Sequence, residues 1–110
     1  RHRSDHPAEA LTLQLDAVRR RADLDAIALA DDDGLLVAHA GDPERCAELG
    51  AAAPLMERTY AIRDLVPPDT GLHVVRAGGA TLRLLGSGGH LLRDVALAEA
   101  ARGVARILGS

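Results

Sequence analysis

An α+β domain is the fold expected of this 110-residue chain, with an antiparallel sheet of four to five strands covered by helices. Apolar residues recur at spacings of three and four in three separate stretches, each long enough for an amphipathic helix. Between those stretches lie pairs of short aliphatic runs joined by glycine-containing turns, the pattern of β-hairpins. The order is α-β-β-α-(β)-β-β-α, neither strictly alternating nor segregated into halves, which favours an antiparallel sheet with helices laid over it.

Residues 1–6 are polar and are expected to be flexible, with a single domain over residues 7–110. Pro7 suits a first helical position, where its missing N–H costs nothing. Leu11, Leu15, Val18 and Ala22 then form one stripe, and Arg19, Arg20 and Arg21 fall where cations complement the helix dipole. The apolar run after Asp25 ends at Asp31-Asp32-Asp33-Gly34, so it reads as a buried strand leading into a hairpin turn. Gly34 can supply the positive φ that such a turn needs, and residues 35–40 are the partner strand. Asp42 and Pro43 are an N-cap and a first helical residue. Cys46, Leu49, Ala53, Met56 and Tyr60 follow on one face, with Pro54 expected to kink or divide the helix. Residues 62–66 are the optional short strand, and residues 72–77 and 81–85 form a second hairpin around Gly78-Gly79-Ala80. Gly86-Ser87-Gly88-Gly89 is expected to break the chain before a last helix over residues 91–108, lined by Leu97, Ala101, Val104 and Leu108.

Composition narrows the function. One Tyr, no Phe, no Trp and a formal charge of −3 disfavour base stacking and phosphate-backbone binding, so no nucleic-acid partner is expected. All 13 Lys-plus-Arg positions are Arg, which removes phosphate-loop and Schiff-base lysines. It also suggests a GC-rich, bacterial genome. A lone Cys46 excludes an internal disulfide, and no apolar run reaches the 18 or so residues of a membrane span. A cytoplasmic protein is expected.

The segment Leu24-Asp-Ala-Ile-Ala-Leu-Ala-Asp-Asp-Asp-Gly-Leu-Leu-Val-Ala-His-Ala-Gly-Asp42 resembles the roadblock (dynein light chain) family, whose members carry an apolar strand, an Asp-rich turn and a second strand of this kind. The resemblance extends in element order over residues 8–108. It implies a roadblock/profilin-like sheet of five antiparallel strands with the middle helix on one face. It also implies homodimers joined sheet edge to sheet edge with their middle helices packed together. Family members serve as regulators or platforms for small Ras-like GTPases, or as scaffolds in other signalling assemblies, and have no enzymatic site of their own.

No residue constellation argues for catalysis or a cofactor. Asp31-Asp32-Asp33 lacks the twelve-residue ligand spacing and closing Glu of a calcium loop. Gly86-Ser87-Gly88-Gly89-His90 precedes a helix and is a weak candidate anion cradle, since it matches neither GxGxxG nor GxSxG. His2, His6, His39, His73 and His90 show no metal-binding spacing, and Cys46 lies on an apolar stripe as a small hydrophobe. The expected function is therefore a non-catalytic homodimeric module that binds or regulates a small Ras-like GTPase or another signalling protein. Its candidate dimer or partner surface is Arg45, Ala52, Leu55, Met56 and Tyr60 on the middle helix. Any effect on nucleotide hydrolysis would be indirect, with Arg45 or Arg58 supplied in trans as the boldest version. A small-molecule sensor built on a similar helix-covered sheet is the alternative, and it requires an apolar pocket with converging polar groups.

Overall fold

Large and small side chains alternate along the first strand, and that alternation organises the molecule. The computed structural model describes residues 7–56, 70–77, 79–89 and 93–109. Strand β1 (Leu24–Ala30) is buried at every position except Asp25. Leu24, Ile27 and Leu29 enter one apolar cluster, whereas Ala26, Ala28 and Ala30 enter another on the opposite side. A strand buried on both faces reads as a near-continuous apolar run; its two-residue period separates Ile27 and Leu29 from the three alanines, and the irregularity between Leu24 and Ala26 puts Leu24 on the bulky side as well.

The bulky side is covered by α1 (Pro7–Ala22) and α3 (Arg93–Leu108), which pack against each other. Leu11, Leu15, Val18 and Ala22 of α1 are all buried, as their spacing predicts, and so are Leu97, Ala101 and Val104 of α3. Asp23 ends α1 with a left-handed φ of 57°, a conformation that Asp tolerates better than most residues. An ion pair of 2.6 Å between Arg21 and Glu99 ties the two helices at the surface.

The alanine side is covered by α2 (Pro43–Met56), which packs on β1, on β2 (Leu36–Gly41) and on β4 (Ala80–Gly88). Small residues on β1 let this helix lie close, with Cys46, Leu49 and Ala53 reaching into the gap. Gly50 suits the same approach: a Cβ there would stand 2.6 Å from Leu36 Cδ2 and 3.2 Å from the carbonyl oxygen of Gly34, and Leu36 would have to shift. Pro54 lies within α2 without dividing it, and the helix is continuous to Met56. The carbonyl that loses its bond belongs to Gly50, one turn earlier.

The sheet runs β2-β1-β4-β3, with β3 spanning Thr70–Ala77 and every neighbouring pair antiparallel. The first hairpin follows expectation. Asp31 Oδ1 accepts from the backbone N–H groups of Asp33 (2.9 Å) and Leu35 (3.0 Å), and Gly34 has φ +84°. Such an Asx-type turn uses the carboxylate as local scaffolding. The second hairpin turns at Gly79 and pairs Thr70 through Ala77 with Ser87 through Ala80.

One expectation is corrected here. Gly86-Ser87-Gly88 does not break the chain: all three belong to β4 and are buried. Gly86 pairs with Gly71 across the ladder, and a Cβ on either would lie 3.0 Å from a methyl of Leu97. The glycines thin the sheet where α3 crosses it. The strand ends at Gly88, where Gly88 and Gly89 both have positive φ. The optional strand at residues 62–66 lies outside the described residues, and the sheet has four strands among those described.

Candidate partner-binding surface

Helix α2 begins where Asp42 accepts the first helical bond, from Cys46 N–H at 2.9 Å. Its inward face is Cys46, Leu49, Gly50 and Ala53, all buried. Cys46 is fixed there: its Sγ donates toward the carbonyls of Ala40 (3.3 Å) and Ile27 (3.6 Å). Burial raises its thiol pKa, more than the two carbonyl contacts lower it. A thiol held protonated in an apolar layer is a poor nucleophile and a poor metal ligand. His39 lies on β2 and is exposed, so the two residues form no thiolate–imidazole pair of the reactive kind.

The outward side of α2 carries Ala47 and Ala51, one turn apart and exposed, with exposed Glu44 and Glu48 beside them. Small side chains at this spacing allow a second helix to approach closely, with both glutamates on one side of the approach. Arg45 and Ala52 are both half-buried on the flank of the helix, and Arg45 Nε lies 3.9 Å from Glu48 Oε1. Leu55 and Met56 occupy the last described turn of α2. Tyr60 and Arg58 lie outside the described residues. The structure thus places four of the five nominated interface residues on one helix that rests on the sheet.

The roadblock resemblance implies dimers joined at a sheet edge, but no edge residue is nominated by the sequence, because strand order is invisible in a list of strands. Strand β3 forms one edge, where Val74 is 38% exposed beside exposed His73 and Arg76. Leu72 of β3 packs against the alanine-side cluster and is half-buried. Two described hollows, one between α1 and α3 and one between β3 and α3, are open to solvent. Among the described residues no three His, Cys, Asp or Glu side chains converge as a metal site requires. No described helix is long and apolar enough to cross a membrane.

Solved structures share this fold. The chain has the fold of MglB. Myxococcus xanthus MglB superposes with a TM-score of 0.62 at 13% identity, over 92% of this chain and 89% of that one. An MglB with tetrameric arrangement gives 0.67 at 22% identity, over 94% and 91%. The gliding protein MglB of Thermus thermophilus gives 0.66 at 22% identity, over 94% and 92%. No family model and no curated protein matches the sequence. The likeness to MglB therefore lies in the fold, which is of the roadblock type, and it spans nearly the whole of both chains.

Proposed function

We propose that this chain is a non-catalytic regulatory or scaffolding module of the roadblock type, acting as a homodimer that binds or regulates a small Ras-like GTPase. The observation that carries the reading is the full-length match in fold to MglB, joined to the roadblock-like hairpin motif between Leu24 and Asp42. That one of these MglB structures is a tetrameric arrangement supports self-association of the fold. In the dimer proposed here, β3 pairs with its own copy across a two-fold axis, which continues the sheet and covers Val74. The two α2 helices then lie on the same side of the joined sheet, with Ala47, Ala51 and Ala52 available for contact with the second copy or with a GTPase. The module supplies position rather than chemistry, since phosphoryl transfer is accelerated mainly by orientation and electrostatics.

Two measurements test this. Light scattering reads the mass of the purified chain and of Ala52→Glu with Leu55→Glu, which is expected to turn a dimer into a monomer. Capture from the source cell's lysate with GTPγS or GDP present is expected to recover a small GTPase in a nucleotide-dependent way. A folded monomeric wild type that recovers no GTPase in either state would overturn the proposal.

A further inference from the structure

Among the described residues, β2 closes the side of the sheet opposite β3, and no other strand pairs with its outer edge. The N–H of Asp42 donates to the carbonyl of Asp25 at 3.3 Å, so this end of β2 faces β1 at Asp42. The two-residue period of an antiparallel ladder then aims the backbone groups of Ala38 and Ala40 at β1 and those of His39 outward. Along this rim Leu35 is 65% exposed and Val37 39%, with His39 and Gly41 exposed as well. Edge strands are usually guarded by charged side chains or proline, and between Gly34 and Gly41 there is neither a proline nor an acidic or Arg side chain. The strand does carry a bulge, with Ala30 opposite Leu36 and Leu29 opposite Ala38, which leaves Val37 unopposed.

Exposed carboxylates stand at both ends of this rim. Asp33 is exposed at the hairpin end, and Asp42 and Glu44 are exposed at the start of α2. Among the described residues these three carboxylates form no ion pair. The cations nearby are engaged with other acids: Arg19 with Asp16 at 2.9 Å, Arg83 with Asp32, and Arg45 nearest Glu48.

We propose that the outer edge of β2 is a docking site for an extended segment of a partner protein, a short run of β-branched or aliphatic residues bounded at both ends by Arg or Lys. An unpaired ladder of N–H and C=O groups is satisfied by another strand, which fixes the shape of the occupant. Six residues of β2 offer about 20 Å of ladder, enough for such a run. The exposed Leu35 and Val37 select apolar neighbours, and the terminal carboxylates select the flanking cations. A second copy of β2 is disfavoured by the same charges. Antiparallel self-pairing would set Asp33 of each copy beside Asp42 and Glu44 of the other. The proposal is independent of the GTPase reading and of the β3 dimer, because it uses only the opposite edge.

The test is a titration of the isotope-labelled full chain with a capped synthetic peptide, Arg-Val-Thr-Val-Thr-Val-Arg, followed by amide shifts and hydrogen exchange. Shifts clustered on residues 35–42 and slowed exchange of the His39 amide are expected. Replacing the peptide's two Arg by Glu is expected to weaken binding at least about fivefold, and so is Asp33→Asn with Glu44→Gln in the protein. His39→Pro removes an outward N–H without touching the β1 ladder and is expected to abolish binding. If that variant fails to fold, the Asn/Gln variant on exposed positions still decides. Shifts on β3 instead, equal binding of the Glu peptide, or no binding up to millimolar peptide would overturn the proposal.

Discussion

Gln14 of α1 lies over Gly103 of α3. A Cβ built on Gly103 would stand 2.5 Å from Gln14 Cδ and 3.0 Å from its Cγ, and would also meet Nε2. The glycine is buried in the middle of a helix, where it costs about 1 kcal/mol relative to alanine. It is there because the bare Cα accepts the amide side chain of the neighbouring helix.

This contact sets a coupled prediction. Gly103→Ala alone is expected to stay within about 1 kcal/mol of wild type, since the gain in helix propensity is offset by displacing a flexible carboxamide. In a Gln14→Ala background the same substitution is expected to stabilise by about 1 kcal/mol. Urea unfolding of the four proteins in a double-mutant cycle measures the coupling. Strict additivity would show that the two side chains do not compete for one space.

Gly41 is a different case, because its neighbours cannot move. It has φ +97°, and a Cβ would meet the carbonyl oxygen of Asp25 and stand 2.9 Å from the Cα of Ala26. Both are backbone atoms of the adjoining strand. Gly41→Ala is expected to lose at least about 2 kcal/mol of stability, from left-handed strain and a forced shift of the ladder. Thermal unfolding of the variant checks this, and a loss below about 0.5 kcal/mol would contradict the described turn into α2.

Cys46 is expected to be protected from thiol reagents in the folded chain and to react readily once denaturant is added. Its folded-state pKa is raised by burial, so the fold favours the neutral thiol. Stability from this group is therefore fully present below the unfolded thiol pKa of about 8.5 and falls as the pH rises above it toward the folded value. Denaturant midpoints of wild type and Cys46→Ala between pH 7 and 10 separate this contribution. The wild type is expected to lose more stability over that range than the alanine variant. The alanine variant itself is expected to be about 1–2 kcal/mol less stable at pH 7, through a small cavity beside Leu49 and Ala53.

Arg83 on β4 is largely buried and donates from Nη1 to the exposed Asp32 in the first hairpin turn. The contact joins residues 51 positions apart, across β1. Asp32→Asn is expected to cost less than about 1 kcal/mol, because one partner is well solvated. The difference from wild type is expected to shrink as salt is raised from 0.05 to about 0.5 M. Chemical unfolding at the two salt concentrations reads it directly.

Local signals were legible wherever a residue type answers a local need. The stripe Leu11, Leu15, Val18 and Ala22, the Asp31 turn closed by Gly34, and the Asp42-Pro43 helix start are each written within a few adjacent residues. Each is found in place, because helix periodicity, turn chemistry and capping act over one or two turns of chain. The roadblock-like hairpin motif is local in the same sense.

Other features depend on what lies across the sheet. Gly86 and Gly88 read as a chain break by their identity, yet they extend β4 because Leu97 and Asp25 press against them from other elements. The alanines of β1 look helical by propensity; they are strand residues because α2 needs a thin surface beneath Cys46 and Leu49. Strand order was beyond local reading for the same reason. Whether β2 or β4 ends the sheet is settled by long-range pairing, which depends on how helices of a given bulk fill both faces at once. The exposure of Val37 and Val74, and with it the two sheet edges seen among the described residues, is set at that level alone.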